Sequence, residues 1–411
     1  MDLRDKLIQF ESDFSTSASP VRERQFADID QFVPGEEVTN PFGKFFRSVM
    51  VYPESHRHGE IPLNLIRESD PSIYGLVGKD ESLSHVDIQK ALFIDTETTG
   101  LAGGTGTLPF MIGMGYFTDE GFQVEQFLMR DYDEEHAVLH AVRDRLANCD
   151  MLVSYNGKCY DMNILSSRFT LTRIENPSLD LPHLDLLFSV RRLWRRRIGD
   201  CSLSNVERAV LGFYRENDIP GYLIPGLYFD YLRSRNGKLL ESVFMHNRWD
   251  IVTLVVLAAL MGRIYQSPHD HLSHPLDLLS LGKIFGNMFK HEEAVVCFRE
   301  ALNYTGKSEE REEILRLLGF FLKRRGEWER AIKVWEYMIK DYPHRIYAYE
   351  ELAKYFEHQI KNFERAIEVV EQALGRACTM QALHPDQQIK RNGKNLEYRL
   401  ARLRRKLGKN E

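Results

Sequence analysis

Apolar and polar positions fall into three regimes along the chain. Residues 1 to 85 show no sustained period. A stretch of helical spacing, residues 3–14, is followed by Ser/Thr/Pro-containing segments with isolated aromatics such as Phe42, Phe45, Phe46 and Tyr52. This predicts an extended arm packed on a neighbouring domain. From about residue 86 the pattern sharpens. Residues 91–94 are a continuous apolar run, and 110–117 and 122–129 are apolar segments separated by Thr118-Asp119-Glu120-Gly121. Three successive antiparallel strands follow from this, the last two joined as a hairpin. Residues 134–148 have helical spacing, 151–155 read as a buried strand, and a helix opens near Asp161. Further helices are expected over 201–211 and 227–235, and one long helix over 237–265. Antiparallel strands followed by strand–helix alternation predict an α/β layer fold with a mixed sheet, over residues 86–266.

The third regime, residues 275–411, is all-helical with a recurring pattern. Leu281-Gly282, Phe285, Ala294, Phe298 and Ala301 match Leu318-Gly319, Leu322, Ala331, Trp335 and Met338. With one inserted residue they match Leu352-Ala353, Phe356, Ala366 and Val370. Small residues where helices cross, beside large ones, are similar to tetratricopeptide repeats and predict a solenoid of helix pairs. An ordinary helical bundle is the competing expectation. The last helix is basic, with Leu396, Leu400, Leu403 and Leu407 as an apolar stripe, and is expected to cap the stack.

Composition narrows this picture only a little. The 411 residues suggest two or three domains, and 43% hydrophobic residues support a real core. A net charge of −6 does not mark a nucleic-acid binder, so any basic surface must be local. Five scattered cysteines with no C-x-x-C argue for reduced thiols in a cytoplasmic protein and against a zinc site. The charged amino terminus does not resemble a signal peptide. The apolar run 251–261 is too short to span a bilayer, and no membrane partner is expected. The loop 100–107 is glycine-rich but lacks the Gly-Lys-Ser/Thr ending of a phosphate-binding loop, so its use is close backbone approach. His56-Arg57-His58 has no acid or thiol partner nearby, and a hydrogen-bonded role is expected rather than a metal site.

The chemistry concentrates in Phe93-Ile94-Asp95-Thr96-Glu97-Thr98-Thr99-Gly100. Strand side chains alternate, so Asp95 and Glu97 share a face, and two adjacent acids at the end of a core strand need a cation to offset them. Asp161 starts a helix after the next strand. Asp250 lies four residues after His246 on a helix face that is otherwise apolar, and so points inward. Four carboxylates from separate elements suit two Mg²⁺ or Mn²⁺ ions. Such a pair would serve phosphodiester displacement, with His246 taking a proton from the attacking water. Arg191, Arg192 and Arg195, in a run of five arginines around Trp194, could grip phosphates while the tryptophan stacks on a base; a solvated helix end is the alternative.

The Asp-Thr-Glu stretch, Asn156-Gly-Lys-Cys-Tyr-Asp161 and His246-x-x-x-Asp250 resemble the three exonuclease motifs of the DEDD superfamily, closest to its YprB-like branch, over residues 88–262. The resemblance implies a ribonuclease-H-like fold and a 3′–5′ exonuclease acting on single-stranded DNA or RNA ends. It implies Asp95, Glu97, Asp161 and Asp250 as metal ligands and His246 as general base. It also implies Thr98, Thr99, Gly100 and Asn156 near the terminal nucleotide. The His246–Asp250 interval is one residue shorter than is usual in the histidine subclass. Asp185 is a reserve acid, expected as a capping or surface residue. The helical repeats would dock a protein partner or the substrate. The alternative is a non-catalytic scaffold that only recognises nucleic acid.

Overall fold

The computed structural model describes residues 29–100, 106–383 and 387–408. The helix expected over 3–14 and residues 101–105 of the glycine-rich loop lie outside the described residues.

Seven strands form one mixed sheet: β1 (Glu36–Asn40), β2 (Gly43–Tyr52), β3 (Ala91–Thr98), β4 (Pro109–Thr118), β5 (Gly121–Leu128), β6 (Met151–Ser154) and β7 (His183–Asp185). Their spatial order is β1-β2-β5-β4-β3-β6-β7. The expected meander β3-β4-β5 is antiparallel, and β6 and β7 join β3 in parallel. The segment expected to be an irregular arm departs from that reading. Its residues 36–52 add two antiparallel strands, β2 pairing with β5 from Phe46↔Leu128 to Tyr52↔Phe122. Phe45 and Phe46 are buried there because the sheet and a helix cover them.

The α-helices of six residues or more in this part are α1 (Ile73–Gly78), α2 (Glu135–Leu146), α3 (Asp161–Thr172), α4 (Leu186–Ile198), α5 (Ile224–Ser234) and α6 (Lys238–Gln266); the helix expected over 201–211 is a short α-helical turn, Leu203–Val206, that widens into a π-helix, Glu207–Leu211. Strand β3 feeds both faces of the sheet. Leu92 and Ile94 enter one core, while Phe93 enters the other with Ile251 and Val255 of α6. Asp95 and Glu97 continue the Phe93 face, so they emerge beside α6. Among the described residues α6 is the one helix long and apolar enough to cross a membrane, yet 78% of its apolar window is buried inside the protein. It is the central core helix.

After a single turn at Pro268–His271, seven longer α-helices complete the described chain: α7 (Pro275–Asn287), α8 (His291–Tyr304), α9 (Ser308–Arg324), α10 (Trp328–Asp341), α11 (Ile346–Tyr355), α12 (Phe363–Leu383) and α13 (Gln387–Leu407). Each packs on the next, and α7 packs on α4. A β-carbon on Gly282 would meet the Phe298 ring at 2.5 Å, and one on Gly319 would meet Trp335 Nε1 at 2.6 Å. Equivalent small residues thus let equivalent helix pairs close on an aromatic. The core is continuous from α6 into this region. Part of the charge of α13 is spent inside the molecule: Arg399, Arg402 and Lys406, three of its eight basic residues, converge on the buried Glu357.

Candidate active site

The site lies where β3 ends. Its pairing with β4 shifts register between Glu97 and Thr98, so the strand bends immediately after the second acid. Helix α6 crosses the same face and delivers His246, Asn247 and Asp250 from one turn. Asp95, Glu97, His246 and Asp250 line a cleft of about 380 Å³, together with Thr98, Asn156 and Tyr160. Ligand atoms of Glu97, His246 and Asp250 all lie within 4.8 Å of one another. Asp161, at the start of α3, is 5% exposed and is bonded by the hydroxyl of Thr96. It sits behind the cleft, close enough for its charge to act on Asp95 and Glu97.

These acids are held against their electrostatic preference. Lost hydration, then the charges of Asp250, Asp161 and Glu97, raise Asp95 well above the usual carboxylate range. Burial, with Asp250 and Asp161 adding to it against His246 and Arg215, pushes Glu97 up to about 8. Burial pushes Asp161 up to about 6 despite the Thr96 bond. Asp250 is raised by burial, against the pull of Arg215 and His246. The cleft carries more anionic groups than its two cations offset. An oxygen-rich donor set in that state suits a hard divalent cation.

Sequence reasoning missed the groups that hold these side chains. The Nδ2 of Asn247, fully buried, donates to Asp95 Oδ2 at 2.9 Å, and Gln126 Nε2 donates to Asn247 Oδ1 at 2.9 Å. Arg215 donates to Asp250 Oδ1, grips Glu207 with two bonds of 2.7 Å, and lies 3.3 Å from Asp218. His246 Nδ1 lies 2.7 Å from Asp218 Oδ1, which fixes the proton there and turns Nε2 toward Asp250 Oδ2, 3.4 Å away. Burial disfavours the imidazolium, but Asp250, Glu97 and Asp218 outweigh it and raise His246 above its ordinary value. Arg215 gave no signal beyond its type, since it sits in coil among Glu216, Asn217 and Asp218.

Other expected residues take varied places. Thr98 donates to the Gly100 carbonyl, as does Tyr160, at 2.8 and 2.6 Å. Thr99 pairs with Leu108 through its backbone and hydroxyl, which closes the base of the loop. Asn156 adopts a left-handed φ of 67°, its N–H held by Asp185 Oδ1 at 2.8 Å. Asp185 also caps α4 through Leu187 N and bonds Lys158 N, so it is a buried capping residue. His58 is buried on Thr253 Oγ1 at 2.7 Å. The arginine run needs correction in two respects. Trp194 is 1% exposed in the core, so its ring cannot stack on a base. Arg192 turns inward to the Val77 carbonyl and Ser189 Oγ, and so is structural.

A family model described as the RNase_H superfamily matches residues 92–262. Over 286 residues the chain is 33% identical to a protein of Bacillus subtilis (strain 168) described as uncharacterized protein YprB, covering 68% of each chain. Among solved structures it is similar to the family B DNA polymerase from the hyperthermophilic archaeon Pyrobaculum calidifontis, at 16% identity and a TM-score of 0.35. That match covers 51% of this chain and 28% of the polymerase chain. The superfamily whose model matches is one of nucleases that generally use divalent metals. With a third of its residues shared across two-thirds of both chains, this protein belongs to the YprB family, built on a ribonuclease-H-like domain.

Proposed function

We propose that this protein is a metal-dependent 3′–5′ exonuclease acting on single-stranded ends of DNA or RNA. The observation that carries the reading is the meeting of Asp95, Glu97, Asp250 and His246 in one cleft, with Asp161 directly behind. A protein that only bound nucleic acid would have no reason to gather uncompensated anions where phosphates must lie. Asp95, Glu97, Asp161 and Asp250 would hold two Mg²⁺ or Mn²⁺ ions. When bound, such ions stabilise both the attacking and the leaving oxygens of a phosphodiester displacement.

The chain's own groups do the rest. Asn247 fixes the Asp95 carboxylate, and Arg215 fixes that of Asp250. His246, oriented through Nδ1 by Asp218, accepts a proton at Nε2 from water as its oxygen bonds to phosphorus. The bond from phosphorus to the 3′ oxygen breaks, that oxygen takes a proton from solvent and stays on the shortened strand as its new 3′ hydroxyl, and a 5′-mononucleotide leaves. Thr98, Thr99, Gly100 and Asn156 border the terminal nucleotide. The helices from α7 onward, read as tetratricopeptide-like, would dock a protein partner or the substrate; the Gly282–Phe298 and Gly319–Trp335 crossings support that reading. Free thiols at Cys149, Cys159, Cys201, Cys297 and Cys378 fit a cytoplasmic location.

The test is the purified protein on labelled DNA and RNA, single- and double-stranded, with Mg²⁺ or Mn²⁺. Mononucleotides should leave from 3′ ends, and Asp95→Ala or Asp250→Ala should abolish their release. Full activity in either variant would overturn the assignment of the site.

A further inference from the structure

Helix α4 carries five arginines, and packing accounts for three of them. Arg192 is spent on Val77 and Ser189, Arg196 on Glu313, and Arg197 on Asp277. Arg191 and Arg195 remain exposed. Four residues apart, they share one helix face. They line a second pocket of about 460 Å³, walled on the other side by the turn from Gly199 to Leu203 and by Tyr155. One acid, Asp200, also lines it, its ionised carboxylate stabilised by the Ser202 N–H at 3.0 Å and hydroxyl at 2.7 Å, and this single anion faces two guanidinium groups. The pocket is therefore cationic on balance. Asn156 lines both this pocket and the acid cleft, so the two are adjoining.

We infer that the pocket of Arg191 and Arg195 carries the sugar–phosphate backbone of a single-stranded nucleic acid whose end occupies the acid cleft. This rests on the nuclease reading and names the substrate's path. A cleft of carboxylates repels a polyanion, so strand affinity must come from cations beside it. Guanidinium groups grip phosphate oxygens as planar forks. Residues four apart on a helix rise about 6 Å, so each arginine can take its own phosphate. With Trp194 in the core, contact is to backbone rather than to a stacked base, and no sequence preference arises here.

The experiment is fluorescence anisotropy with labelled single strands from two to ten nucleotides, across a salt series, with steady-state kinetics alongside. Wild type, Arg191→Ala/Arg195→Ala and Arg191→Lys/Arg195→Lys are compared. The alanine pair should weaken ten-nucleotide binding about tenfold, as expected for two exposed charge contacts. It should flatten the slope of log affinity against log salt by about 1.4, two single-strand phosphates' worth. The kinetic loss should fall on KM rather than kcat, and be smaller for a dinucleotide. The lysine pair should keep the salt slope. An unchanged slope, an equal loss for every length and for inorganic phosphate, or equal damage in both variants would overturn the track. If wild type degrades strands and the alanine pair does so with the same KM, the track alone fails. If wild type neither binds nor degrades any strand, the nuclease reading fails with it.

Discussion

Gly113 lies directly opposite Asp95 across the antiparallel pair, and a β-carbon on Gly113 would stand 2.1 Å from Asn247 Oδ1. The same amide donates to Asp95. The glycine is thus the space into which the holder of a candidate metal ligand fits. Gly113→Ala should push Asn247 off Asp95 and also disturb the bond from Gln126. Overpacking of this kind costs about 1–3 kcal/mol. We expect a lower melting temperature and a larger proportional loss in kcat than in substrate affinity. Wild-type kcat in a folded Gly113→Ala protein would show that the Asn247 contact does not position Asp95.

The raised acids make a pH prediction for the metal-free protein. Glu97 moves from an ordinary 4.5 to about 8, and Asp161 from 3.8 to about 6. An acid whose folded value is raised favours the fold while protonated. Its contribution is full below the ordinary value and is lost as pH climbs through the folded value. In EDTA, stability should therefore fall between about pH 5 and about pH 8. Mn²⁺ binds the ionised carboxylates and should restore most of the loss at the upper end. Glu97→Gln should flatten the metal-free profile there and reduce the Mn²⁺ shift. Thermal melts across pH, with and without metal, decide it; a profile that rises with pH in EDTA would sink the idea.

Much of the sheet and the candidate acids could be seen in the residues alone because each signal is local. The run before Asp95, the hairpin turn at residues 119–120 and the helix opening at Asp161 all rest on neighbours in sequence. Strands β1 and β2 escaped because β1 lies at the sheet edge and only part of β2 is buried, which leaves mixed polarity and no clear period. Asn247 and Arg215 escaped for a different reason. Their partners lie up to 152 residues away, and no periodicity encodes such a contact. Arg192 and Arg195 look alike in sequence; only the packing against Val77 separates a structural arginine from an exposed one.

His246 and Asp218 set the acid limb of the activity profile. As a base, His246 works only when neutral, so activity should rise as pH passes its ionisation. Asp218 is one of the anions that stabilise its charged form, and it lies outside the proposed ligand set. Asp218→Asn removes that anion, which lowers the histidine's affinity for protons and moves the limb to lower pH. The shift should be visible in kcat/KM against pH at saturating Mn²⁺, and His246→Gln should lose the limb. A limb that stays in place in Asp218→Asn, or persists in His246→Gln, would remove His246 from the base role.

Arg197 and Asp277 tie the ribonuclease-H-like domain to the first helix beyond it. Arg197 Nε donates to Asp277 Oδ2 at 2.7 Å, and Asp277 is almost wholly buried, its Oδ1 without a hydrogen-bond partner among the described residues. Burial, offset in part by Arg197, pushes Asp277 up to about 6. Arg197→Ala leaves a buried carboxylate without its cation, which costs about 2–3 kcal/mol once the arginine's partial exposure is allowed for. The cost depends on charge, so it should be large near pH 8 and small near about pH 5, where Asp277 can take a proton instead. Urea denaturation at both pH values measures it. Adding Asp277→Asn to Arg197→Ala should recover most of the loss at the higher pH, because an amide needs no counter-ion. An equal loss at both pH values, with no recovery in the double variant, would mean that Arg197 holds the helices together by packing along its stem and not through its charge.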